Sequence, residues 1–370
     1  MHDLYATSIA LIGANQAPSG AYVASPNFGQ YRYCWFRDGA YIAYAMGLIG
    51  EYDSAERFYT WATRLIAARA PQVERVVAAV ARGADPAPAD LLDTRYAVDG
   101  AVGTADWPNF QLDGFGTLLW GLAEHLALTG RPLPPAWRPA VTLLTRYLAA
   151  LWDRPCYDCW EEFGDQVHTA TLAALYGGLQ AAARLLADPA PAATAAAIRR
   201  YVLDQCVVDG RLVKFAGNPA VDGSLVHVST PYRLLEPDDP RMVATMARVE
   251  QELCGGGGVH RYAADTYYGG GAWILLTAYR GWYRLERGDR SGARALRAWI
   301  EEHADAAGHL PEQVPVALND PAMLPVWEAR WGPVATPLLW SHAAYLTLDT
   351  MLNRAAVAAA LAGEGSHADH

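Results

Sequence analysis

Two adjacent glutamates, Glu161 and Glu162, are the residues of this chain that most suggest chemistry. They stand in the sequence CWEEF, between aromatic residues, and Arg154 is the nearest basic residue. A surface pair of glutamates would be expected among Lys and Arg. The neighbours of this pair are aromatic and not basic. Apolar surroundings raise the pKa of a carboxyl group and keep it protonated, as a general acid must be. This pair is therefore a candidate proton donor.

A second candidate is Glu312, the single charged residue of a loop that Pro311 and Pro315 enclose. Proline restricts the backbone and would hold the carboxylate rigidly, as a catalytic base requires. Taken alone, either acidic segment is more often structural than catalytic. Their combination with aromatic loops elsewhere in the chain changes that balance.

Three further segments mix aromatic side chains with Arg, Asp or Gln at the predicted entrance to a helix. They are residues 31–38 (YRYCWFRD), 107–113 (WPNFQLD) and 260–268 (HRYAADTYY). The C–H faces of a pyranose stack on aromatic rings, while its hydroxyl groups bond to carboxylate and guanidinium groups. Together with the CWEEF segment, these make four loops in which aromatic and polar residues are mixed. An aromatic core with buried ion pairs would explain the tryptophans but not four such loops. The pattern favours a sugar site.

Other motifs do not fit the chemistry that they suggest. Cys156 and Cys159 form a CxxC pair without a second pair of metal ligands or a strand–helix–strand context, so two buried thiols are favoured. Ser341 and His342 are adjacent on a predicted helix and point in different directions, so they are not a nucleophile and its base. The four glycines 255–258 precede no lysine and indicate a turn rather than a phosphate loop. We predict no metal and no other cofactor.

Composition narrows the class of protein further. The 370 residues are 52% hydrophobic and 18% charged, and 29 basic against 39 acidic residues give a net charge of −10. Such a charge disfavours nucleic acid and anionic membranes as partners, so a small oligosaccharide is the expected ligand. The sequence has no long apolar run, no signal-peptide pattern at Met1 and an odd number of cysteines, five. These features predict a cytoplasmic protein and leave its oligomeric state open.

Helical periodicity recurs along almost the whole chain, and alternating strand patterns are scarce. Amphipathic helices tend to alternate with helices that are apolar nearly all round, such as 168–186 and 337–352. An all-apolar helix must be enclosed by others, so we predict an all-α fold with an inner and an outer ring of helices. The twelve predicted helices span residues 3–14, 38–49, 53–82, 114–129, 136–152, 167–187, 191–204, 222–236, 240–253, 271–287, 289–304 and 337–361.

No linker divides the chain into parts of different composition, so we predict one domain over residues 1–361. The stretch 83–113 is rich in Pro, Ala and Asp and has no clear period, which is typical of a functional or disordered loop. Residues 362–370 are predicted to be a frayed tail.

The motifs resemble those of glycoside hydrolase family 15, the glucoamylase family, in the same order from about Tyr31 to Tyr345. The resemblance implies a single (α/α)6 barrel that removes glucose from the non-reducing end of α-glucosides with inversion. It implies that Glu161 is the general acid and that Glu312 is the general base. The positions that it implies for substrate binding are Tyr31, Trp35, Arg37, Asp38, Trp107, Gln111, Trp160, Glu162, Arg261, Asp265, Trp273 and Gln313.

The predicted substrate is isomaltose or a short α-1,6-linked oligosaccharide. The chain length leaves no room for the extra domains of many relatives, and Ala263 and Ala264 replace the Pro and acidic residue that starch-active relatives often carry. Glucoamylase or trehalase activity, on α-1,4 or α,α-1,1 glucosides, is the alternative within the family. A sugar phosphorylase would lack a well-placed Glu312 and carry a basic pocket, and a non-catalytic sugar-binding relative would lack both glutamates.

Overall fold

The computed structural model describes residues 3–103 and 106–365. Within this part the chain forms thirteen α-helices and three antiparallel ribbons of very short strands. The ribbons pair β1 (Cys34–Trp35) with β2 (Arg95–Tyr96), β3 (Val207–Val208) with β4 (Arg211–Leu212), and β5 (Ala272–Trp273) with β6 (Gln313–Val314). The helices are α1 (Leu4–Ala14), α2 (Phe36–Leu48), α3 (Tyr52–Ala67), α4 (Ala70–Ala81), α5 (Asp113–Thr129), α6 (Arg138–Leu151), α7 (Thr169–Leu186), α8 (Ala190–Gln205), α9 (Pro240–Leu253), α10 (Ile274–Glu286), α11 (Arg290–Glu302), α12 (Met323–Trp331) and α13 (Leu339–Gly365).

Six segments form a closed inner ring. In order they are α2, α5, α7, the 3-10 helix Gly223–Val228, α10 and α13; each packs against the next, and α13 packs against α2. The helices α1, α3, α6, α8, α9 and α11 alternate with them along the chain and cover their outer sides. The prediction of an all-α (α/α)6 barrel with two concentric rings is confirmed.

The polarity of a helix decides which ring it joins. Every residue of the inner helix α2 is buried. In the outer helix α11 the buried residues are Ala293, Leu296 and Ile300, which share one face at helical spacing. An amphipathic helix can therefore cover the inner ring with one side and meet water with the other.

Proline explains two of the differences from the predicted helices. The helix predicted at 53–82 is two helices, α3 and α4, and Pro71 lies in the first turn of α4, where its missing N–H group costs nothing. The segment predicted as a helix over 222–236 contains only the 3-10 helix Gly223–Val228, because Pro231 lacks the N–H group that a longer helix would use. Helix α12 lies in a stretch for which the sequence predicts no helix.

The C-terminal helix continues beyond residue 361, the predicted end of the domain. Helix α13 extends to Gly365, so residues 362–365 of the predicted tail are helical, and 366–370 lie outside the described residues. One apolar cluster reaches from Leu4 to Leu352, and the single-domain organisation stays a prediction. Among the residues that the structure describes, no helix combines the length and apolar composition needed to cross a membrane.

The loops that enter the inner ring meet at one end of the barrel. Those leading into α2, α5, α7, α10 and α13 all contribute residues to one cavity. The alternation of rings produces this convergence, since each outer helix returns the chain to the same end before the next inner segment begins. The N-termini of the inner helices lie at this end. Helix N-termini carry a partial positive charge, so this end of the barrel favours carboxylate groups.

Candidate active site

A cavity of about 390 Å³ opens at this end of the barrel, within the size range of small-molecule sites. Residues that are far apart in sequence line it, which is how the fold assembles one site from several loops. Eleven of the fourteen predicted site residues are among them: Tyr31, Trp35, Arg37, Asp38, Trp107, Trp160, Glu161, Glu162, Arg261, Trp273 and Glu312.

Glu161 is oriented by two hydrogen bonds to the same carboxylate oxygen. The indole Nε1 of Trp35 donates to Oε1 at 2.7 Å, and the amide Nε2 of Gln111 donates to it at 2.9 Å. Two donors on Oε1 disfavour a proton there, because that oxygen already acts as a double acceptor. In its acid form the Glu161 carboxyl group therefore carries its proton on Oε2.

The backbone around Glu161 adopts a conformation that is rare for residues with a side chain. Glu161 and Phe163 have φ angles of 68° and 51°, in the left-handed region. Asp158 holds this turn, because its Oδ1 accepts the N–H groups of Trp160 and Glu162, both at 3.0 Å. Conformations of this kind cluster at functional sites and persist only where neighbouring contacts enforce them.

Glu312 lies on the cavity wall and is 4% exposed. The Tyr31 hydroxyl donates to its Oε1 at 3.0 Å and lies 3.1 Å from the Tyr267 hydroxyl. Burial raises the pKa of Glu312 to about 8, although the hydrogen bond from Tyr31 acts in the opposite direction. The hydrogen bond from Tyr31 thus favours the carboxylate form, and so does the positive charge of Arg261.

Two arginines at the inner end of the cavity are each fixed by an aspartate. Arg37 Nη1 lies 3.1 Å from Asp113 Oδ2, and Arg261 Nε donates to Asp265 Oδ2 at 2.8 Å. Asp38 lies beside Arg37 with an Nε–Oδ2 distance of 3.6 Å, and burial raises the pKa of Asp38 to about 7. These pairs present rigid polar groups to a ligand.

Several buried polar atoms of the lining lack a hydrogen-bond partner within the described residues. Buried polar groups in proteins are nearly always paired, so unpaired ones require an explanation. Here they belong to residues of one cavity, and a ligand rich in hydroxyl groups would pair them. The atoms are Arg37 Nε, Asp38 Oδ2, Trp107 Nε1, Trp273 Nε1 and Glu312 Oε2.

Three residues predicted to bind the sugar lie behind the cavity wall instead. Gln111 and Asp265 are fully buried, and Gln313 is 2% exposed. The polar atoms of each are hydrogen-bonded to neighbouring residues. Gln111 bonds to Glu161 and Arg37, and Asp265 bonds to Arg261. Gln313 bonds to the backbone N–H of Gly271 and the carbonyl of Tyr267. Gln111 and Asp265 thus orient Glu161 and Arg261, two residues that do line the cavity.

Comparison with known proteins decides the family. A sequence profile of glycosyl hydrolases family 15 matches residues 1–288 of the chain. The chain belongs to glycoside hydrolase family 15. It is therefore an enzyme that hydrolyses glycosidic bonds, and the predicted family resemblance is confirmed.

Several known proteins are similar to this chain over most of its length. Isomaltose glucohydrolase from Kribbella flavida is 46% identical over 94% of this chain and 92% of its own length. The solved structure of a glycosidase variant in complex with glucose is 45% identical, covers 95% of this chain and 96% of its own, and has a TM-score of 0.91. A bacterial glucoamylase complexed with acarbose, 21% identical with a TM-score of 0.71, covers 94% of this chain and 55% of its own and shares the barrel.

The stretch 83–113 builds part of the family 15 site. Strand β2 pairs with β1 and brings Arg95 beneath the cavity wall. Its guanidinium lies 3.7 Å from the ring centroid of Trp107 and 5.1 Å from that of Trp35, so it stacks between two lining residues. Of the two predictions for this stretch, a functional or a disordered loop, the functional one agrees with this placement.

Sequence reasoning missed the residues at the cavity entrance. Trp327, Arg330 and Trp331 of α12 line it, and the Arg330 guanidinium lies about 5 Å from both tryptophan rings. A signal was present, because Trp327 and Trp331 are four residues apart and share one helix face. Trp340 at the start of α13 lines the inner end and was also missed.

The motifs set aside in the sequence have structural roles. His342 accepts the backbone N–H of Leu310 at 2.9 Å, and the Ser341 hydroxyl donates to the carbonyl of Pro311 at 2.8 Å. The pair thus anchors the loop that carries Glu312. The cysteines are free thiols, and no cluster of metal-ligating side chains occurs in the described ranges.

Proposed function

We propose that this family 15 enzyme removes β-glucose from the non-reducing end of isomaltose and short isomalto-oligosaccharides, with inversion at the anomeric carbon. One observation carries the proposal: Glu161 and Glu312 line the same cavity, each hydrogen-bonded to a different aromatic residue of the segment before α2. We infer that the two carboxyl groups act on opposite faces of one sugar ring.

In the proposed reaction Glu161 and Glu312 act in a single step. Glu161 passes the proton on Oε2 to the glycosidic oxygen as the bond from the anomeric carbon breaks, while Glu312 takes a proton from the water that attacks the opposite face. An inverting pair must leave space for that water, with about 6.5–9.5 Å between the carboxyl groups. The rings of Tyr31 and Trp35 contact each other edge to face, with 5.6 Å between their centroids. Tyr31 bonds to Glu312 and Trp35 bonds to Glu161, so the two rings connect the carboxylates.

The exo mode of attack agrees with the burial of Arg37 and Arg261, which line the cavity away from the exposed residues of α12. There the paired Arg37 and Arg261 can bond to the hydroxyl groups of one terminal glucose, and the rest of the substrate extends toward the entrance. The α-1,6 preference rests on the 46% identity to isomaltose glucohydrolase.

A phosphorylase would need a cation for phosphate at the inner end, whereas both arginines there are already paired with aspartates. The presence of both glutamates disfavours a sugar-binding protein without activity.

Incubation with isomaltose, maltose and trehalose, followed by polarimetry or NMR of the first product, tests the proposal. We expect the highest kcat/KM on isomaltose, β-glucose as the first anomer and no dependence on phosphate. Initial release of α-glucose would contradict inversion, and a clear preference for maltose or trehalose would contradict the linkage. Phosphate-dependent release would support the phosphorylase alternative.

Trp327 at the entrance is expected to bind the second sugar of the substrate. Replacing it with alanine removes an aromatic surface at that point, so Trp327→Ala should raise KM for isomaltose about 5- to 10-fold, the equivalent of about 1 kcal/mol of stacking. The substrate α-glucosyl fluoride has no second sugar, so its kcat/KM should be unchanged. Equal losses on both substrates would show that the variant disturbs the glucose site itself.

The pH dependence of activity should follow the ionisation of Glu312. Since burial raises its pKa from 4.5 to about 8, the acidic limb of kcat/KM should lie well above pH 4.5. The Tyr31 hydroxyl stabilises the ionised form, so Tyr31→Phe should raise the pKa of Glu312 further and move this limb to higher pH. Profiles of both proteins on isomaltose test this, and a limb that stays in place or moves to lower pH would contradict it.

A further inference from the structure

The chain contains a single lysine, Lys214, among 28 arginines. It is 5% exposed and lies behind the loop that carries Glu161, outside the cavity lining. Its Nζ is 3.0 Å from Asp158 Oδ2 and 2.6 Å from Asp222 Oδ2. Both aspartates are buried as well. A buried cation that contacts two buried carboxylates, next to the loop that carries Glu161, requires an explanation.

The shape of the site explains why the residue is lysine. Nζ also lies 4.1 Å from the ring centroid of Tyr262 and 4.8 Å from that of Phe163. A compact ammonium can bond to two carboxylates and still contact two aromatic faces. The larger, planar guanidinium of arginine has a fixed fork of donors and does not match this arrangement.

Each partner of Lys214 holds a different part of the turn 158–163. Asp158 accepts the backbone N–H groups on either side of Glu161. Asp222 accepts the indole N–H of Trp160, with distances of 3.0 and 3.1 Å to its two oxygens. Tyr262, on which the ammonium stacks, donates to Glu162. One positive charge thus connects the contacts that keep Glu161 in its left-handed conformation.

We propose that Lys214 is a positioning residue for the general acid, acting through Asp158, Asp222 and Tyr262 to hold the turn 158–163. The inference rests on the proposed role of Glu161. Without the ammonium, two buried carboxylates would repel each other and the turn would relax. Glu161 would then no longer present its Oε2 proton to the glycosidic oxygen. Lys214 contacts neither the substrate cavity nor Glu312. We therefore expect its loss to lower kcat through the acid step, whereas any shift of the sugar-binding residues Trp160 and Glu162 should change KM on both substrates.

Two substrates that differ in their need for an acid test this role. Isomaltose releases a sugar alkoxide that must be protonated, whereas α-glucosyl fluoride releases fluoride, which leaves with little assistance. In Lys214→Met and Lys214→Arg, we expect kcat on isomaltose to fall about 10²-fold, as a misplaced catalytic group can cause. We expect kcat on α-glucosyl fluoride to remain close to that of the unaltered enzyme.

Matched variants separate positioning from general damage. Lys214→Arg keeps the positive charge, so it serves as the test protein should Lys214→Met fail to fold. Ile300→Ala in the outer helix α11 removes a fully buried side chain far along the chain from the turn. It should lower Tm without changing the ratio of the two kcat values.

The outcomes are distinguishable from failure of the proposed function. Glu161→Gln should itself be selective for the leaving group, and if it is not, the assignment of the acid is wrong. If Glu161→Gln is selective while the lysine variants lose both activities equally, or lose neither, only the role of Lys214 is overturned. The role of Lys214 is supported if the ratio of kcat on isomaltose to kcat on α-glucosyl fluoride falls in Lys214→Arg but not in Ile300→Ala.

Discussion

Glu312→Gln should lower kcat on isomaltose about 10²- to 10⁴-fold, the range that general base catalysis contributes. The amide has nearly the shape of the carboxyl group, and its oxygen can still accept the hydrogen bond from Tyr31. It cannot take a proton from water. Steady-state kinetics on isomaltose, with substrate binding measured separately, should therefore show a loss in kcat far larger than any change in affinity.

The same variant is expected to be more stable than the unaltered enzyme at high pH. The pKa of Glu312 is raised in the folded state, to about 8 from 4.5, so between these values the unfolded chain loses its proton while the folded protein keeps it. Stability conferred by such a group falls as pH rises through this window. Glutamine has no proton to lose, so the difference in Tm between Glu312→Gln and the unaltered enzyme should grow from pH 5 to pH 8.

A parallel series on Glu301→Gln provides the control. Glu301 lies on the outer helix α11 and accepts a hydrogen bond from Tyr345, away from the cavity. Its replacement should leave kcat unchanged. Near-normal turnover in Glu312→Gln would remove that residue from the reaction, and a Tm difference that shrinks with rising pH would contradict its raised pKa.

The parts of the site that could be predicted from the sequence are those in which chemistry and local pattern coincide. The segment from Tyr31 to Asp38 mixes aromatic, cationic and acidic residues at a helix start, and it does line the cavity. The double ring could be predicted because enclosed helices such as α2 are apolar on every side. Both signals are local, so neither depends on which distant segments meet.

Contacts between distant segments could not be predicted. Gln111 belongs to a recognised motif, but only the fold shows that its amide connects Arg37 to Glu161 and does not face the cavity. Lys214 stands in an unremarkable sequence, RLVKF, and its partners Asp158 and Asp222 lie on both sides of it along the chain. No spacing rule predicts such a group, because a hydrogen-bond network depends on three-dimensional proximity.

The raised carboxyl pKa values also depend on burial rather than on sequence neighbours. The aromatic residues around Glu161 and Glu162 predict raised pKa values at that pair. Burial does raise the pKa of Glu162, where the charge of Arg261 opposes it. The larger effect is at Glu312, whose flanking prolines indicated rigidity and not desolvation. A carboxyl group loses its water through the whole fold, so flanking residues alone are a weak guide.

Glu161→Gln is expected to lower kcat on isomaltose about 10²- to 10⁴-fold while largely sparing α-glucosyl fluoride. The amide oxygen can occupy the position of Oε1 and accept both existing hydrogen bonds, from Trp35 and Gln111. The NH2 group then stands where the acid proton was, and an amide does not release a proton to a leaving group. The site therefore keeps its geometry and loses only its acid.

Glu162→Gln is the matched comparison, because it changes the neighbouring carboxylate by the same atom. Glu162 contacts Arg261 and Tyr262 and has no predicted part in proton transfer. Its replacement weakens a contact that orients a sugar ligand, so both substrates should lose kcat/KM to a similar extent. If Glu161→Gln lowered the activities on both substrates to the same extent, as we expect of Glu162→Gln, Glu161 could not be the general acid, and the proton would have to come from another residue of the cavity.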